Sequence, residues 1–293
     1  MDFMSQISQY IMTGLSVGSF YALVAMGFVI IYNVSGIINF AQGEFVMLGA
    51  MISVSLIKAG IPVPLSFIIS VIAVMLFGVI MERLAIRPAR KASPVTLIII
   101  TIGASIIIRG AALLIWGTEP YNMNPFSEGK PVHFIGAYLD IQRFWVMGVL
   151  AVIVVLLYIF FEMTFWGKAL RACVVNRLAA RLMGISPKKM TSISFGVSAA
   201  FAAMAGIAIA PISSATYDMG LLFGLKGFIA AVLGGFTSVP GAVIGGLLLG
   251  VAESLGAGLI SSGYKDAIAF ALLVLVLVIK PTGFFGFTGS KRV

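Results

Sequence analysis

The sequence predicts an all-α protein that crosses a membrane several times. Hydrophobic residues fill 60% of its 293 positions and charged residues only 10%, and the mean hydropathy is +1.12. Soluble globular domains carry about 25% charged residues, so this composition excludes that class of protein. Apolar runs of about twenty residues, long enough to cross a bilayer, recur along the chain. We therefore predict a single transmembrane domain over residues 1–293.

The apolar runs predict about eight or nine transmembrane helices. Five runs predict complete helices, and they cover residues 11–32, 65–84, 95–116, 144–161 and 191–212. Three more predict additional spans, and they cover residues 36–57, 239–259 and 264–280. One shorter run, residues 222–237, is a candidate half-helix.

Positive charge is concentrated in two stretches between apolar runs. Together they hold ten of the nineteen lysines and arginines: Arg83, Arg87, Arg90, Lys91, Lys168, Arg171, Arg177, Arg181, Lys188 and Lys189. Positively charged loops of membrane proteins stay in the cytoplasm, so we expect both stretches inside and loop 117–143 outside. The C-terminal Lys280, Lys291 and Arg292 then lie inside, and nine crossings place the N-terminus outside. The net charge of +9 thus reports orientation, and we expect no nucleic-acid partner.

Two segments resemble distant copies of each other. They are GLSVGSFYALVAMG at 14–27 and GVSAAFAAMAG at 196–206, and each precedes a polar break and a Gly-rich apolar run. The predicted topology sends the first copy inward and the second outward, which is the inverted-repeat plan of many transporters. The alternative is that Gly- and Ala-rich spans resemble one another because small residues let helices pack closely.

Polar residues inside the predicted spans mark a possible translocation path, because an ionisable group in hydrocarbon is costly unless it is paired or hydrated. The densest group lies in INFAQGEF at 38–45, between Gly36 and Gly43, which would allow the helix to break. The candidate path residues are Asn39, Gln42, Glu44 and Glu253. Glu44 has an alternative role, as the partner of Arg109 or Lys226 in a structural salt bridge.

Residues 163–190 look like a soluble helix-turn sequence inside a membrane chain. Asn176 is a good N-cap, Gly184 suits a left-handed position after a helix, and Pro187 follows as a stop. We predict a short helix over residues 177–183, with Arg177 and Arg181 one turn apart on one face. Because a two-turn helix is not stable alone in water, we expect it to dock on a partner.

Motifs for catalysis or cofactor binding are absent from the sequence. The chain contains one cysteine, Cys173, and one histidine, His133, and neither HExxH nor GxSxG occurs. No lysine is followed by serine or threonine, which excludes a Gly-rich P-loop. We expect no enzymatic activity, no metal and no cofactor on this chain, so any ATP hydrolysis belongs to another polypeptide.

Three stretches together resemble one known family. They are GSFYALVAMGFVIIYNVSGIINFAQGEFVMLGA at 18–50, TFWGKALRACVVNRLAARLMGI at 164–185 and GLKGFIAAVLGGFTSVPGAVIGGLLLGVAE at 224–253. Across nearly the whole chain, the sequence is similar to permease subunits of high-affinity branched-chain amino acid ABC importers of the Liv H type. The resemblance implies a bacterial inner-membrane subunit that pairs with a second permease, docks two cytoplasmic ABC ATPase subunits and receives substrate from a periplasmic binding protein.

The resemblance also implies that residues 163–190 form the cytoplasmic loop that contacts the ATPase. The residues that match the family's motif there are Gly167, Ala169, Arg171, Ala172, Asn176, Ala179, Ala180, Gly184 and Ile185. The predicted short helix adds Arg177 and Arg181 as candidate coupling residues. Three alternatives stay open. One is a permease for another small solute, such as urea or amides, and another is a secondary transporter coupled to an ion through Glu44 or Glu253. The third is a membrane scaffold that transports nothing, against which the polar break from Asn39 to Glu44 argues.

Overall fold

The computed structural model describes residues 3–90, 92–134 and 136–286. Throughout these residues the chain is helical, apart from connections and one two-stranded antiparallel hairpin. Seven of the described helices are long and apolar enough to cross a membrane. The predicted all-α polytopic class is therefore confirmed. Three of the basic residues used to predict orientation, Lys91, Lys291 and Arg292, lie outside the described residues.

The helices follow the predicted apolar runs, with two additions in the basic loop. In chain order they are α1 (Phe3–Ser35), α2 (Gln42–Lys58), α3 (Val63–Met81), α4 (Pro94–Trp116), α5 (Ile141–Met163), α6 (Phe165–Val175), α7 (Arg177–Leu182), α8 (Pro187–Ser213), α9 (Met219–Gly234), α10 (Val239–Leu259) and α11 (Lys265–Ile279). A π-helical turn, Glu82–Ile86, extends α3. The hairpin strands β1 (Val132–Phe134) and β2 (Ala137–Leu139) lie between α4 and α5.

The connections define two ends of the molecule. At one, which we call the basic end, Arg90 donates a hydrogen bond to Thr191 Oγ1 near the start of α8. Asn33, near the end of α1, donates to the carbonyl oxygen of Thr237 at 3.2 Å, just before α10. At the opposite end, Gln9 near the start of α1 exchanges two hydrogen bonds with the backbone of Tyr138. The central helices α1 and α8 therefore run antiparallel. These are the directions predicted for the two similar segments, 14–27 and 196–206, that they contain.

The second crossing is only half helical. After α1, Gly36 adopts a φ of +71°, and residues 37–41 lead back into the protein without forming a helix. Asn39 stabilises this break, because its side-chain oxygen accepts the backbone N–H of Ala41 at 3.2 Å.

The half-helix α2 starts inside the protein. Its first residue, Gln42, accepts a hydrogen bond from Ser198 Oγ at 2.8 Å, near the middle of α8. The prediction of a helical span over 36–57 is therefore wrong for its first part, since residues 36–41 form the break. Gly43, predicted to flank the break, lies within the first turn of α2 instead.

The crossing that contains α9 has the same construction. After α8, Ala215 pairs with Tyr121 at the opposite end, and the chain then re-enters the protein. α9 begins against the start of α2, where a methyl group added to Gly43 would lie 1.9 Å from the carbonyl oxygen of Gly220. The predicted run at 222–237 is thus a half-helix, as expected, but it begins at Met219 and ends at Gly234.

The described chain makes nine passes, seven with complete helices and two with half-helices. The helices α1, α2 and α3 correspond to α8, α9 and α10. The first helix of each set packs against the third helix of the other set, α1 against α10 and α8 against α3. Small residues bring both pairs close. A methyl group on Gly18 would lie 2.8 Å from the carbonyl oxygen of Gly246, and one on Gly78 would lie 2.9 Å from that of Phe195. This exchange of partners is what an inverted repeat predicts.

Candidate functional site

The short helix predicted in the basic loop is present as α7, one residue shorter than expected. The side-chain oxygen of Asn176 accepts the backbone N–H groups of Leu178 and Ala179 at 2.9 and 3.0 Å. The helix ends before Gly184, which adopts a φ of +81°. These are the cap and the left-handed residue that the sequence predicts.

A second helix, α6, precedes α7 and is absent from the sequence prediction. Thr164 caps it by accepting the backbone N–H of Gly167 at 3.0 Å. One face of α6, with Leu170 and Cys173, is buried against the membrane helices. The signal that could have revealed it is the cap at Thr164, followed by apolar residues at helical spacing.

The two arginines of α7 have different surroundings. Arg177 donates a hydrogen bond to the carbonyl oxygen of Val34, near the end of α1. Arg181 instead lines an open cavity of about 530 Å³ with Arg90 and residues 184–188. Burial lowers the pKa of the Arg90 guanidinium from its ordinary value. One arginine therefore ties α7 to the membrane core, and the other faces a cationic cavity.

Large apolar side chains project from α6 and α7 away from the protein. We call this surface the coupling face, and it consists of Val174, Val175, Leu178, Leu182 and Met183. Leu182 and Met183 are each 81% exposed, and Val175 is 86% exposed. Apolar side chains grouped in this way, beside basic residues, are typical of a protein-binding surface.

The structure divides the predicted coupling residues into three groups. Those buried against the membrane helices are Gly167, Ala169 and Ala180. Those partly buried are Arg171, Ala172 and Ile185. Those exposed are Asn176, Arg177, Ala179, Arg181 and Gly184. The first group holds α6 and α7 in place, and only the other two can contact a partner.

The candidate path residues of the broken segment lie deep in the protein. Gln42 is fully buried and forms two hydrogen bonds with Ser198, through the backbone carbonyl and the side-chain hydroxyl. Asn39 is also fully buried, and its side-chain nitrogen has no hydrogen-bond partner among the described residues. Gln42 therefore has a structural role in joining α2 to α8, whereas Asn39 retains an unused donor.

Glu44 does not form the salt bridge that was one alternative for it. Its Oε1 accepts a hydrogen bond from Ser105 Oγ at 2.7 Å, and its Oε2 has no partner among the described residues. Arg109, about one turn after Ser105 on α4, forms no ion pair with Glu44. Lys226, the other predicted partner, is engaged elsewhere.

Glu253 belongs to a buried ion network. Lys226 Nζ lies 3.1 Å from Glu253 Oε1 and 2.7 Å from Asp266 Oδ1. Tyr21 donates a hydrogen bond to Glu253 Oε2 at 2.7 Å. This network joins α1, α9, α10 and α11. The charge of Glu253 is thus balanced by Lys226, and its side chain is held within the protein. Asp266 is not predicted from the sequence to join this network, because it lies in the first turn of the last apolar run.

Comparisons with known proteins identify the relatives of this arrangement. A family model described as branched-chain amino acid transport system / permease component matches residues 10–277. The high-affinity branched-chain amino acid transport system permease protein LivH of Salmonella typhimurium is 36% identical over 95% of both chains. The corresponding protein BraD of Pseudomonas aeruginosa is 35% identical over 95% of both chains.

A solved structure supports the fold independently. PsaBC from Streptococcus pneumoniae, in complex with Fab, aligns over 94% of this chain and 92% of that chain. The TM-score is 0.52 at 17% sequence identity. At that identity the likeness concerns the course of the helices alone.

Proposed function

Because this chain belongs to the family of branched-chain amino acid transport permease components, we propose that it carries branched-chain amino acids across a bacterial inner membrane. It does so as the permease subunit of an ATP-driven ABC importer. The observation that carries the proposal is the identity of 35–36% to permeases of such systems over 95% of the chain. The nine-pass architecture, with half-helices that begin inside the protein, supports it.

The proposed partners are a second permease, two cytoplasmic ABC ATPase subunits and a periplasmic binding protein. The coupling face is the proposed contact with an ATPase, because it combines exposed apolar side chains with Arg181 and Lys188 at the basic end. ATP is hydrolysed on that other chain. The basic end is then cytoplasmic, and the N-terminus lies outside. The described C-terminal residues lie at the basic end, since Phe285 donates its N–H to the carbonyl oxygen of Gly234 at 3.1 Å.

Alternating access is the proposed mechanism. Closure of the ATPases on ATP moves α7, and the bond from Arg177 to Val34 passes that movement to the end of α1. The broken segment 37–41 follows α1 directly and leads into α2. A shift at the basic end can therefore rearrange the centre of the protein, where the two half-helices meet, and expose the path to one side and then the other.

Reconstitution with substrate tests the proposal. Proteoliposomes that contain this permease with its second permease and the ATPases, and that receive binding protein outside, should accumulate leucine, isoleucine and valine when ATP is enclosed. Urea and acetamide, supplied at the same concentration, should not accumulate. Uptake of urea or acetamide in place of the three amino acids would instead support a permease for another small solute.

A further inference from the structure

The two half-helices point their N-terminal ends at one place in the middle of the protein. α2 begins at Gln42 and α9 at Met219, and a methyl group on Gly220 would lie 2.7 Å from the carbonyl oxygen of Gly43. The N-terminus of a helix carries a partial positive charge and unpaired N–H groups. Polar groups of a transported molecule can therefore be accommodated at this meeting point.

Two buried polar atoms at this point have no partner among the described residues. Glu44 is 1% exposed, and its Oε2 lacks a donor. That oxygen is directed at the first turn of α9, because a methyl group on Gly220 would lie 2.6 Å from it. The side-chain nitrogen of Asn39 is the second such atom. Burial of an unpaired polar group is costly, so buried atoms without partners are expected where a ligand supplies the missing hydrogen bonds.

Two further charged residues lie near Glu44 in the sequence of the helices that contact it. Arg109 follows, by about one turn of α4, Ser105, which donates to Glu44 Oε1, and Asp218 lies two residues before Gly220, which faces Glu44 Oε2. Arg109 is half-buried and forms no ion pair with any described residue. Asp218 is exposed and directly precedes α9, yet its side chain makes no capping bond. Arg109 lies two turns before the end of α4, about 10 Å below the opposite end.

A charged group at the depth of Arg109 is costly against lipid tails. We therefore expect the face that carries Arg109 and Asp218 to meet water, a ligand or another protein. Exposed aliphatic side chains flank it, with Ile106 one turn before Arg109 and Leu221 one turn after Asp218. The surface thus combines one cation, one carboxylate and apolar side chains, and Glu44 is buried inside the protein.

We propose that Glu44, Arg109 and Asp218 form a binding station in the translocation path for the zwitterionic head group of the transported amino acid. Arg109 binds the carboxylate, since a guanidinium donates two parallel hydrogen bonds to such a group. Glu44 and Asp218 bind the ammonium group, and Ile106 and Leu221 contact the aliphatic side chain. The inference rests on the proposed function, because it identifies how the same substrate is held inside the permease.

Uptake by charge-neutralised variants tests the station. In the reconstituted transporter, Arg109→Gln and Glu44→Gln should each lower the rate of leucine uptake at least about tenfold, as the loss of a charged hydrogen bond predicts. Arg109→Lys keeps the charge and should recover part of the rate. Arg143→Gln removes a positive charge near the opposite end outside the station and is the matched control. If the wild-type assembly takes up no leucine, the proposed function fails. If the wild type transports and Arg109→Gln transports as fast as Arg143→Gln, the station alone is overturned.

Cysteine labelling tests the same site without altering its charges. Cys173 is buried, and burial raises the pKa of its thiol, so the native cysteine is unreactive. Leu221→Cys should react with a membrane-impermeant methanethiosulfonate, and leucine-loaded binding protein should slow the reaction severalfold. Ile107→Cys lies at similar depth on a different face of α4 and should stay unlabelled against lipid. Absence of labelling at Leu221→Cys would mean that lipid or a second permease covers the face, which overturns the station.

Discussion

Arg177 of α7 donates a hydrogen bond to the backbone carbonyl oxygen of Val34, 143 positions away near the end of α1. The bond joins α7, which carries part of the coupling face, to the central helix of the permease. The broken segment 37–41 follows directly, and α2 begins after it. Only the end of α1 and the broken segment therefore lie between α7 and the point where the half-helices meet. This short connection is the basis of the mechanism proposed for coupling.

Reversal of both arginines should break this connection. In the variant with Arg177→Glu and Arg181→Glu, we expect uptake per ATP hydrolysed to fall at least about tenfold, or the ATPase to be released. The measurement is leucine uptake and phosphate release in the same proteoliposomes. The control reverses Arg83 and Lys189, which are exposed at the same end and line a different cavity from the one that Arg181 lines. Normal coupling in the double-arginine variant would reject the role assigned to α7.

A charge placed on the coupling face should weaken ATPase binding without unfolding the permease. Leu182 is 81% exposed in this chain, so Leu182→Asp removes no contact within it. If an ATPase covers the residue, the buried carboxylate should weaken binding at least about tenfold. Co-purification with the ATPase measures the effect. Val132→Asp, on the exposed hairpin at the opposite end, should leave co-purification unchanged, and equal binding by both variants would show that Leu182 lies outside the contact.

The buried ion network should be more sensitive to the loss of one charge than to the loss of two. Lys226→Met leaves the fully buried Glu253 without its closest cation, and we expect the free energy of unfolding to fall by about 3–5 kcal/mol. Adding Glu253→Gln should recover part of that loss. Thermal unfolding of the purified permease in detergent gives the comparison, with Lys130→Met in the exposed loop as the control. A double variant less stable than Lys226→Met would contradict this account.

The contact between the half-helices requires a small residue at Gly43. In Gly43→Ala the added methyl group would lie 1.9 Å from the carbonyl oxygen of Gly220, so α2 and α9 must separate. We expect loss of transport and a lower unfolding temperature. Gly103→Ala is the matched control, because nothing lies within 4 Å of a methyl group at that helical glycine. Transport by Gly43→Ala at the rate of Gly103→Ala would contradict the close approach.

Features set by neighbouring residues could be predicted from the sequence. The cap at Asn176 and the left-handed Gly184 act within a few positions, and they located α7 to within one residue. A break between Gly36 and Gly43 is also allowed by the sequence, because two glycines flank a polar group in an apolar run, although the same run predicts a helical span over 36–57. Its position was misjudged, since Gly43 was read as flexible whereas it permits close packing against α9.

Contacts between distant helices could not be predicted in the same way. Lys226, Glu253 and Asp266 lie on three helices, and nothing in their spacing indicates that they meet. Glu44 had several possible partners, and the fold places Ser105 rather than a cation beside it. Helix α6 was missed for a different reason. Its basic and apolar residues were read as one loop, although the apolar residues recur at helical spacing.

The energy source for uptake distinguishes an ABC importer from a secondary transporter. Leucine uptake should be measured in proteoliposomes that contain the two permeases, with and without the ATPase subunits, in the presence of binding protein. We expect accumulation only when the ATPases and enclosed ATP are both present, and none with a proton or sodium gradient alone. Accumulation driven by an ion gradient in the absence of ATPases would contradict this expectation and identify a secondary transporter.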